Sequence, residues 1–415
     1  MIQNTTKSSR APNGNGSIRK KTITRNGKSY TYWEGRYTAE IDAVNGRQIQ
    51  RSITGKTQKE VLKHLRMIAH LKDIGCYSPH ALQPTSKWLI EWVDTYLCHV
   101  KESTRYNYKR SCELYIIPEL GNINLISLNT ETIQKFYNSL SESPYSLSAK
   151  TIRDIHGILH QALQQAVDNF YICLNPSDAC KLPKSLKKDF CPIEDHKLPE
   201  FIEAIKGHSH EYIYAIALFT GLRVGEILGL TWDCIDFDRG VMTVKQQLRR
   251  YQEKGGKYYV STPKNNRSRT IALPETALCA LKKQKEKLTY MEANAEKSWV
   301  CMPILHSETT NSEQHFDLVF RNDSGGPLSY RTLYDCFKRI VSNIGIPDTR
   351  FHDLRHTYAL AALQNGDDIK TLQENLGHAT AAFTLDYYGH ITEKMKYKSA
   401  KSMENFIQSI ARYKV

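Results

Sequence analysis

The chain has 415 residues, long enough for two or three domains with cores of their own and no need of disulfide staples. Lys and Arg number 57 against 43 Asp and Glu, a formal charge of +14, and a surplus of that size points to a polyanionic partner, most often nucleic acid. A mean hydropathy of −0.51 and the lack of an apolar run of about 18 residues argue against a membrane span. The polar start from Met1 to Gly16 has no apolar stretch of the secretory kind. The ten cysteines are spread evenly, without C-x-x-C or the Cys/His spacing of a zinc site, so reduced thiols and no metal are expected.

Residues 1–16, rich in Ser, Asn and Gly, are expected to be disordered. Residues 17–80 read as a separate module. Fifteen Lys and Arg face five Asp and Glu between Met1 and His80, so most of the net charge lies in the first fifth of the chain. Strands are predicted at Tyr30–Tyr37 and Arg47–Ile53, with Asn45-Gly46 turning between them. A helix is predicted from about Thr57 to Ile74, with Thr57 and Glu60 in capping-box spacing. A small basic, aromatic sheet with one helix suits insertion of strands into a DNA groove, and Lys20, Lys21 and Arg36 are its candidate contacts. The plainer alternative is a solvated basic face.

Pro84-Thr85 breaks the chain, and residues 86–180 read as a compact bundle of four or five helices. Trp88, Leu89, Trp92 and Tyr96 recur at helical spacing, as do Ile152, Ile155, Leu159 and Leu163. A helix from Ser103 to Tyr115 carries Arg105 and Lys109, further candidate DNA contacts. Residues 181–190 are basic and Pro-containing, a linker. From 191 to 415 the pattern is mixed α and β.

Four clusters of chemistry-bearing residues lie in this last part. In Thr220-Gly-Leu-Arg223-Val-Gly-Glu226 an apolar helix ends at Gly221. The next begins with Arg223 in its first turn, among free N–H groups, and Glu226 on the same face to orient the guanidinium. Lys264 falls at the tip predicted for a hairpin between Tyr258–Ser261 and Thr270–Leu273. In Phe351-His352-Asp-Leu-Arg355-His356 the spacing of His352 and Arg355 puts both on one helix face. In Leu376-Gly377-His378, Gly377 suits a helix C-terminus, and ten residues on a tyrosine pair precedes Gly389-His390. Each cluster alone has a bland reading: a surface ion pair, an exposed lysine, a core histidine, one tyrosine among 24. Together, two Arg, two His, a Lys and a Tyr with almost no carboxylate make a metal-free site. It would bind one phosphodiester and neutralise its transition-state charge while tyrosine attacks phosphorus.

The order T-G-L-R-x-G-E-I-L, P-K, H-D-L-R-H-T, L-G-H and Y-x-H resembles the tyrosine recombinase (phage integrase) family, over about 190–392. The resemblance is greatest to integrases of conjugative transposons. It implies a multidomain α+β chain: an arm-type DNA-binding sheet-plus-helix, an all-α core-binding domain, and a mainly α catalytic domain with a small antiparallel sheet. It makes Tyr388 the nucleophile, forming a 3′-phosphotyrosine and freeing a 5′-hydroxyl. Arg223 and Arg355 would hold the non-bridging oxygens, and His352 and His378 would bond the phosphate. Lys264 would be the general acid and Glu226 would support Arg223. Tyr387 competes with Tyr388, and Lys257 or Lys245 with Lys264; His356 matches a family position and is expected to be structural. The resemblance further implies double-stranded DNA with core and arm sites as partner, no cofactor, metal or ATP, and action in the bacterial cytosol. Assembly would be a homotetramer on DNA from a free monomer, with an excisionase or DNA-bending protein as accessory. The last segment, Thr392 to Tyr413, is predicted helical with Met403, Phe406, Ile407 and Ile410 in a stripe. In relatives such a segment docks on a neighbouring protomer. Rival readings are a type IB topoisomerase-like relaxing enzyme and a non-catalytic DNA-binding regulator.

Overall fold

The computed structural model describes residues 16–25, 28–41, 45–73, 78–185, 190–251, 256–263, 267–295, 299–300, 303–306, 312–377 and 393–410. The chain divides into two compact units, Met1–Leu186 and Lys187–Val415. It is helix-rich with small sheets, a multidomain α+β architecture. Of the residues 1–16 expected to be disordered, 1–15 lie outside the described residues.

The first unit contains two hydrophobic cores. One lies under a three-stranded antiparallel sheet, β1 (Ser17–Arg25), β2 (Lys28–Ile41) and β3 (Gln48–Gly55), in the order β1-β2-β3. Helix α1 (Gln58–Asp73) covers one face of it with Val61, Leu65 and Ile68 against Tyr37 and Ala39. Strand β1 was not expected: Ser-Ile-Arg-Lys-Lys-Thr reads as charge, and only pairing with β2 along its whole length makes it a strand. The other core is the bundle of α2 (Thr85–Thr95), α3 (Glu102–Ser111), α4 (Ile117–Leu120), α5 (Thr130–Leu140) and α6 (Ala149–Asp168). The helix predicted through Tyr115 stops being α-helical at Ser111; a wider turn spans Cys112–Ile116 before Pro118. Trp88 is fully buried, its indole N–H donating to the Ala162 carbonyl at 2.9 Å, which ties α2 to α6.

In the second unit α7 (Leu198–Ile205), α8 (Glu211–Thr220) and the short α9 (Val224–Leu228) lead into two small sheets. Strands β4 (Ile235–Asp236), β5 (Val241–Val244) and β8 (Arg269–Ala272) form one sheet. The other runs β10 (Glu313–Gln314), β9 (Ile304–Leu305), β7 (Tyr258–Ser261), β6 (Gln247–Arg250). This corrects the predicted hairpin. β7 pairs with β6 and β8 with β5, so the two strands that flank Lys264 are not each other's partners. The two flanking strands read as a hairpin because they are adjacent in sequence; pairing at β5 and β6 overrides that adjacency. Helices α10 (Glu275–Asn294), α11 (Tyr330–Asn343), α12 (Asp353–Asn365) and α13 (Ile369–Leu376) follow. The last described helix, Glu393–Ile410, leaves Met403, Phe406 and Ile407 exposed. Among the described residues no helix is long and apolar enough to cross a membrane, and no His, Cys, Asp and Glu cluster could hold a metal.

Candidate active site

Helix α8 is apolar because its flanks are buried on both sides, and it ends at Gly221 in the left-handed conformation, φ +62°. A Cβ there would lie 2.5 Å from the Tyr358 ring and 2.8 Å from Leu376, so only glycine lets the end of α8 meet α12 and α13. Arg223 follows two residues later. It is not in the first turn of α9, as predicted, but is the residue just before it, with extended backbone (φ −72°, ψ 147°). Glu226 reaches back to accept from the Arg223 N–H at 3.0 Å and from its Nη1 at 2.9 Å. The guanidinium is thereby aimed away from the N-terminal amides and across to α13.

The end of α13 organises the cluster. Gly377 caps it with φ +64°, and the last carbonyls of a helix lack partners of their own and carry the negative end of its dipole. Here guanidiniums supply the partners. Arg355 Nη2 donates to the Leu376 carbonyl at 2.7 Å, and Arg223 Nη1 donates to the same oxygen at 3.4 Å. Arg223 Nη2 donates to Gly377 at 3.2 Å, and Arg269 Nε to Asn375 at 2.8 Å. Arg355, only 2% exposed, also donates through Nη1 to the Gly221 carbonyl at 2.8 Å. Two arginines 132 positions apart in sequence thus hang on one backbone oxygen.

Glu226 is the counter-charge. It is 1% exposed, and Arg269 grips it with Nη2 on Oε2 at 2.7 Å and Nη1 on Oε1 at 3.1 Å. Burial pushes its carboxyl up, but the Arg269 hydrogen bonds and the Arg269 and Arg223 charges outweigh that and hold it down at about 2. The cleft over the cluster, about 650 Å³, is lined by Arg223, Arg267, Arg269 and Lys370, with Glu374 the acid beside them. Such a cleft attracts anions, and forked guanidiniums bond phosphate oxygens in pairs.

His352 precedes α12 and keeps an exposed edge, while Arg355 in the first turn points inward. Packing around the His352 ring, then the nearby His356, Arg355 and Arg223, push its pKa down to about 4, so it is neutral at pH 7. His356 is buried, meets His352 edge-on with ring centres 5.2 Å apart, and stacks on Phe190 at 4.8 Å. Burial likewise lowers it to about 4, against the pull of Asp353. Asp353 is fully buried and takes both Nε and Nη2 of Arg350 at 3.0 Å, fixing the start of α12.

The structure therefore brings Arg223, Glu226 and Arg355 together, with His352 at the start of the helix that carries Arg355. Lys264, His378, Tyr387 and Tyr388 lie outside the described residues. The competing lysines are engaged by acids: Lys245 with Asp233 at 2.5 Å and Lys257 with Glu313 at 2.9 Å. On the N-terminal sheet, Lys21 and Arg36 flank the buried Glu34 at 3.4 and 3.6 Å, on the face opposite α1. Lys20 pairs with Trp33 and points to the α1 side. Arg105 is pinned to Asp94 at 3.0 Å, and Lys109 is exposed. Sequence reasoning missed Arg269, and with it Arg19, which donates to Glu34 at 2.5 Å. The one available signal for Arg269 was its place in the basic stretch after Lys264.

The phage integrase family model matches residues 193–395, and the model of the phage integrase N-terminal SAM-like domain matches 86–141. A tyrosine recombinase XerC-like protein of Caldanaerobacter subterraneus subsp. tengcongensis is 26% identical, over 93% of this chain and 99% of that one. The ICEBs1 integrase of Bacillus subtilis is 26% identical over 90% and 98%. The transposase from transposon Tn916 of Enterococcus faecalis is 26% identical over 71% of each. Among solved structures, the Tn1549 transposon integrase in complex with a circular intermediate DNA superposes with TM-score 0.63. It is 23% identical and covers 77% of this chain and 99% of that one. A lambda integrase dimer bound to a core site gives TM-score 0.54 at 18% identity, over 92% and 96%.

Proposed function

Because the chain belongs to the phage integrase family, we propose that it is a site-specific DNA recombinase that integrates and excises a mobile element through a 3′-phosphotyrosine intermediate. The observation that carries this reading is the pair Arg223 and Arg355 on the Leu376 carbonyl, immediately before Gly377-His378. Leu376 sets the spacing of the two guanidiniums before any substrate arrives, so their charge is in place when the phosphorane forms.

In the proposed reaction Tyr388 Oη attacks phosphorus and its proton leaves to a nearby base, with the neutral His352 available at the start of α12. The bond from phosphorus to the 5′-oxygen breaks, and Lys264 gives that oxygen its proton. Arg223 and Arg355 hold the non-bridging oxygens, and His378 adds a further hydrogen bond. Glu226 supports Arg223. The phosphotyrosine ester keeps the energy of the phosphodiester, so rejoining to a second 5′-hydroxyl needs neither ATP nor metal. The acid-bound state of Lys245 and Lys257 favours Lys264 as the acid. Residues 17–80 bind arm-type DNA with the face that carries Arg19, Lys21 and Arg36, and 86–180 grip the core site, where Lys109 is exposed. Four protomers, monomeric when free, assemble on two duplexes in the cytosol, with an excisionase or DNA-bending protein to set direction.

The test is a nicked suicide substrate carrying candidate element ends, in EDTA. Wild type is expected to give a covalent protein–DNA band on a denaturing gel. Tyr388→Phe abolishes the band and keeps DNA binding, and Tyr387→Phe keeps both. A band lost only with Tyr387→Phe moves the nucleophile by one residue. Specific binding of that DNA without any band makes the protein a regulator, and relaxation of supercoiled DNA without a specific site makes it a topoisomerase.

A further inference from the structure

We propose that Arg269 is a positioning residue for Arg223, acting through Glu226; this rests on the recombinase reading. Arg269 is the first residue of β8 and lies 43 positions from Glu226 in sequence. Its side chain is 11% exposed. All three of its nitrogens donate, to two groups: both Glu226 oxygens, and the Asn375 carbonyl one residue before the oxygen that Arg223 and Arg355 share. Glu226 has one oxygen on the Arg223 side chain and the other on the Arg223 backbone N–H. Without Arg269 the carboxylate would be free to rotate onto Arg223 as a full bidentate partner, the geometry an isolated Arg–Glu pair prefers. Arg223 would then be drawn off the α13 carbonyls and its charge quenched. With Arg269 in place, each Glu226 oxygen is shared, and Arg223 keeps Nη1 and Nη2 on the helix end. The packing leaves no slack: a Cβ at Gly377 would sit 2.9 Å from Arg269 Nη1. Arg269 thus joins α9, β8 and the end of α13, the three elements around the cleft.

The experiment compares Arg269→Gln, Arg269→Lys and Arg223→Gln in single-turnover cleavage of two suicide substrates. One has an ordinary phosphodiester at the cleaved position. The other has a methylphosphonate, in which a methyl group replaces one non-bridging oxygen and removes the negative charge. A defect in guanidinium placement matters less when there is less charge to meet. Arg269→Gln is expected to bind DNA within about threefold of wild type and to form the covalent adduct about 10- to 100-fold more slowly on the phosphodiester. On the methylphosphonate its deficit shrinks in parallel with that of Arg223→Gln. Arg269→Lys keeps charge without the fork and falls between, which keeps the test open should the Gln variant not fold. Adding Glu226→Gln to Arg269→Gln brings little further loss, because both act on one guanidinium. Wild-type rates for Arg269→Gln, or an equal deficit on both substrates, overturn the proposal. No adduct from wild type on either substrate overturns the recombinase reading instead.

Discussion

His356 lies between Phe190 and His352, and burial holds its imidazole neutral, with a pKa near 4 against the ordinary 6.5. A histidine lowered on folding stabilises the protein above its unfolded pKa and loses that contribution as the unfolded chain takes up protons. The window is therefore pH 6.5 down to about 4, and His356 alone accounts for a loss on the order of 2 kcal/mol between pH 7 and 5. Glu226, held at about 2 against 4.5, acts in the next window, its contribution present above 4.5 and lost as pH falls toward 2. His356→Phe keeps a ring on Phe190 and removes the proton. Urea unfolding at pH 7 and pH 5 should show the gap between the two stabilities narrowed by about that 2 kcal/mol; an unchanged gap assigns the acid sensitivity elsewhere. At this scale the sequence was legible where residues act within one turn or one motif. Arg223 with Glu226 was readable from spacing; the shared helix face expected for His352 and Arg355 was not found, since His352 stands before α12 and Arg355 points inward. Arg269 was not, since a lone arginine in a strand carries no local sign of a carboxylate 43 positions away.

The elements were legible where one apolar face dominates, as in α6 with Ile152, Ile155, Leu159 and Leu163 all buried. They were misread where pairing decides. The turn predicted at Lys264 rested on two adjacent strand-like runs, but each found its partner upstream, at β6 and β5. Strand β1 was invisible because its exposed face is charge and its pairing is entirely with β2. That sheet gives the element-scale prediction. Glu34 is buried under Arg19, Lys21 and Arg36, and the Arg19 hydrogen bond draws its carboxyl below the usual carboxylate range. One acid thus holds three cations in a row across two strands. Removing residues 1–80 is expected to weaken DNA binding and to flatten its salt dependence by about 0.9 in log–log slope for each phosphate that the module neutralises. Titration of binding against salt for the two proteins reads the difference, and an equal slope would assign the module another partner.

For the whole molecule, the last described helix presents Met403, Phe406 and Ile407 to solvent. A helix with an unburied apolar stripe is expected to find a surface to cover, and in the assembly proposed above a neighbouring protomer would offer one. Truncation after residue 394 should leave binding to a single site unchanged while multimeric complexes on native gels disappear. Survival of those complexes would place the helix on its own protomer. The two units were legible in different ways. Charge and helical periodicity announced the first unit, whereas the second is built from interactions between motifs far apart in the chain.

At α13 the arginine pair is hung on main-chain oxygens, not on that helix's side chains. Substitutions on the solvent side of that helix, away from the cleft-lining Lys370, Gln373 and Glu374, therefore leave the hydrogen bonds of the pair alone. A change in its length is another matter. One residue more or less turns the terminal carbonyls by about 100° and moves them about 1.5 Å, taking Leu376 out from between Arg223 and Arg355. In-frame insertions and deletions in this stretch are therefore expected to cost more than substitutions at its solvent-facing positions.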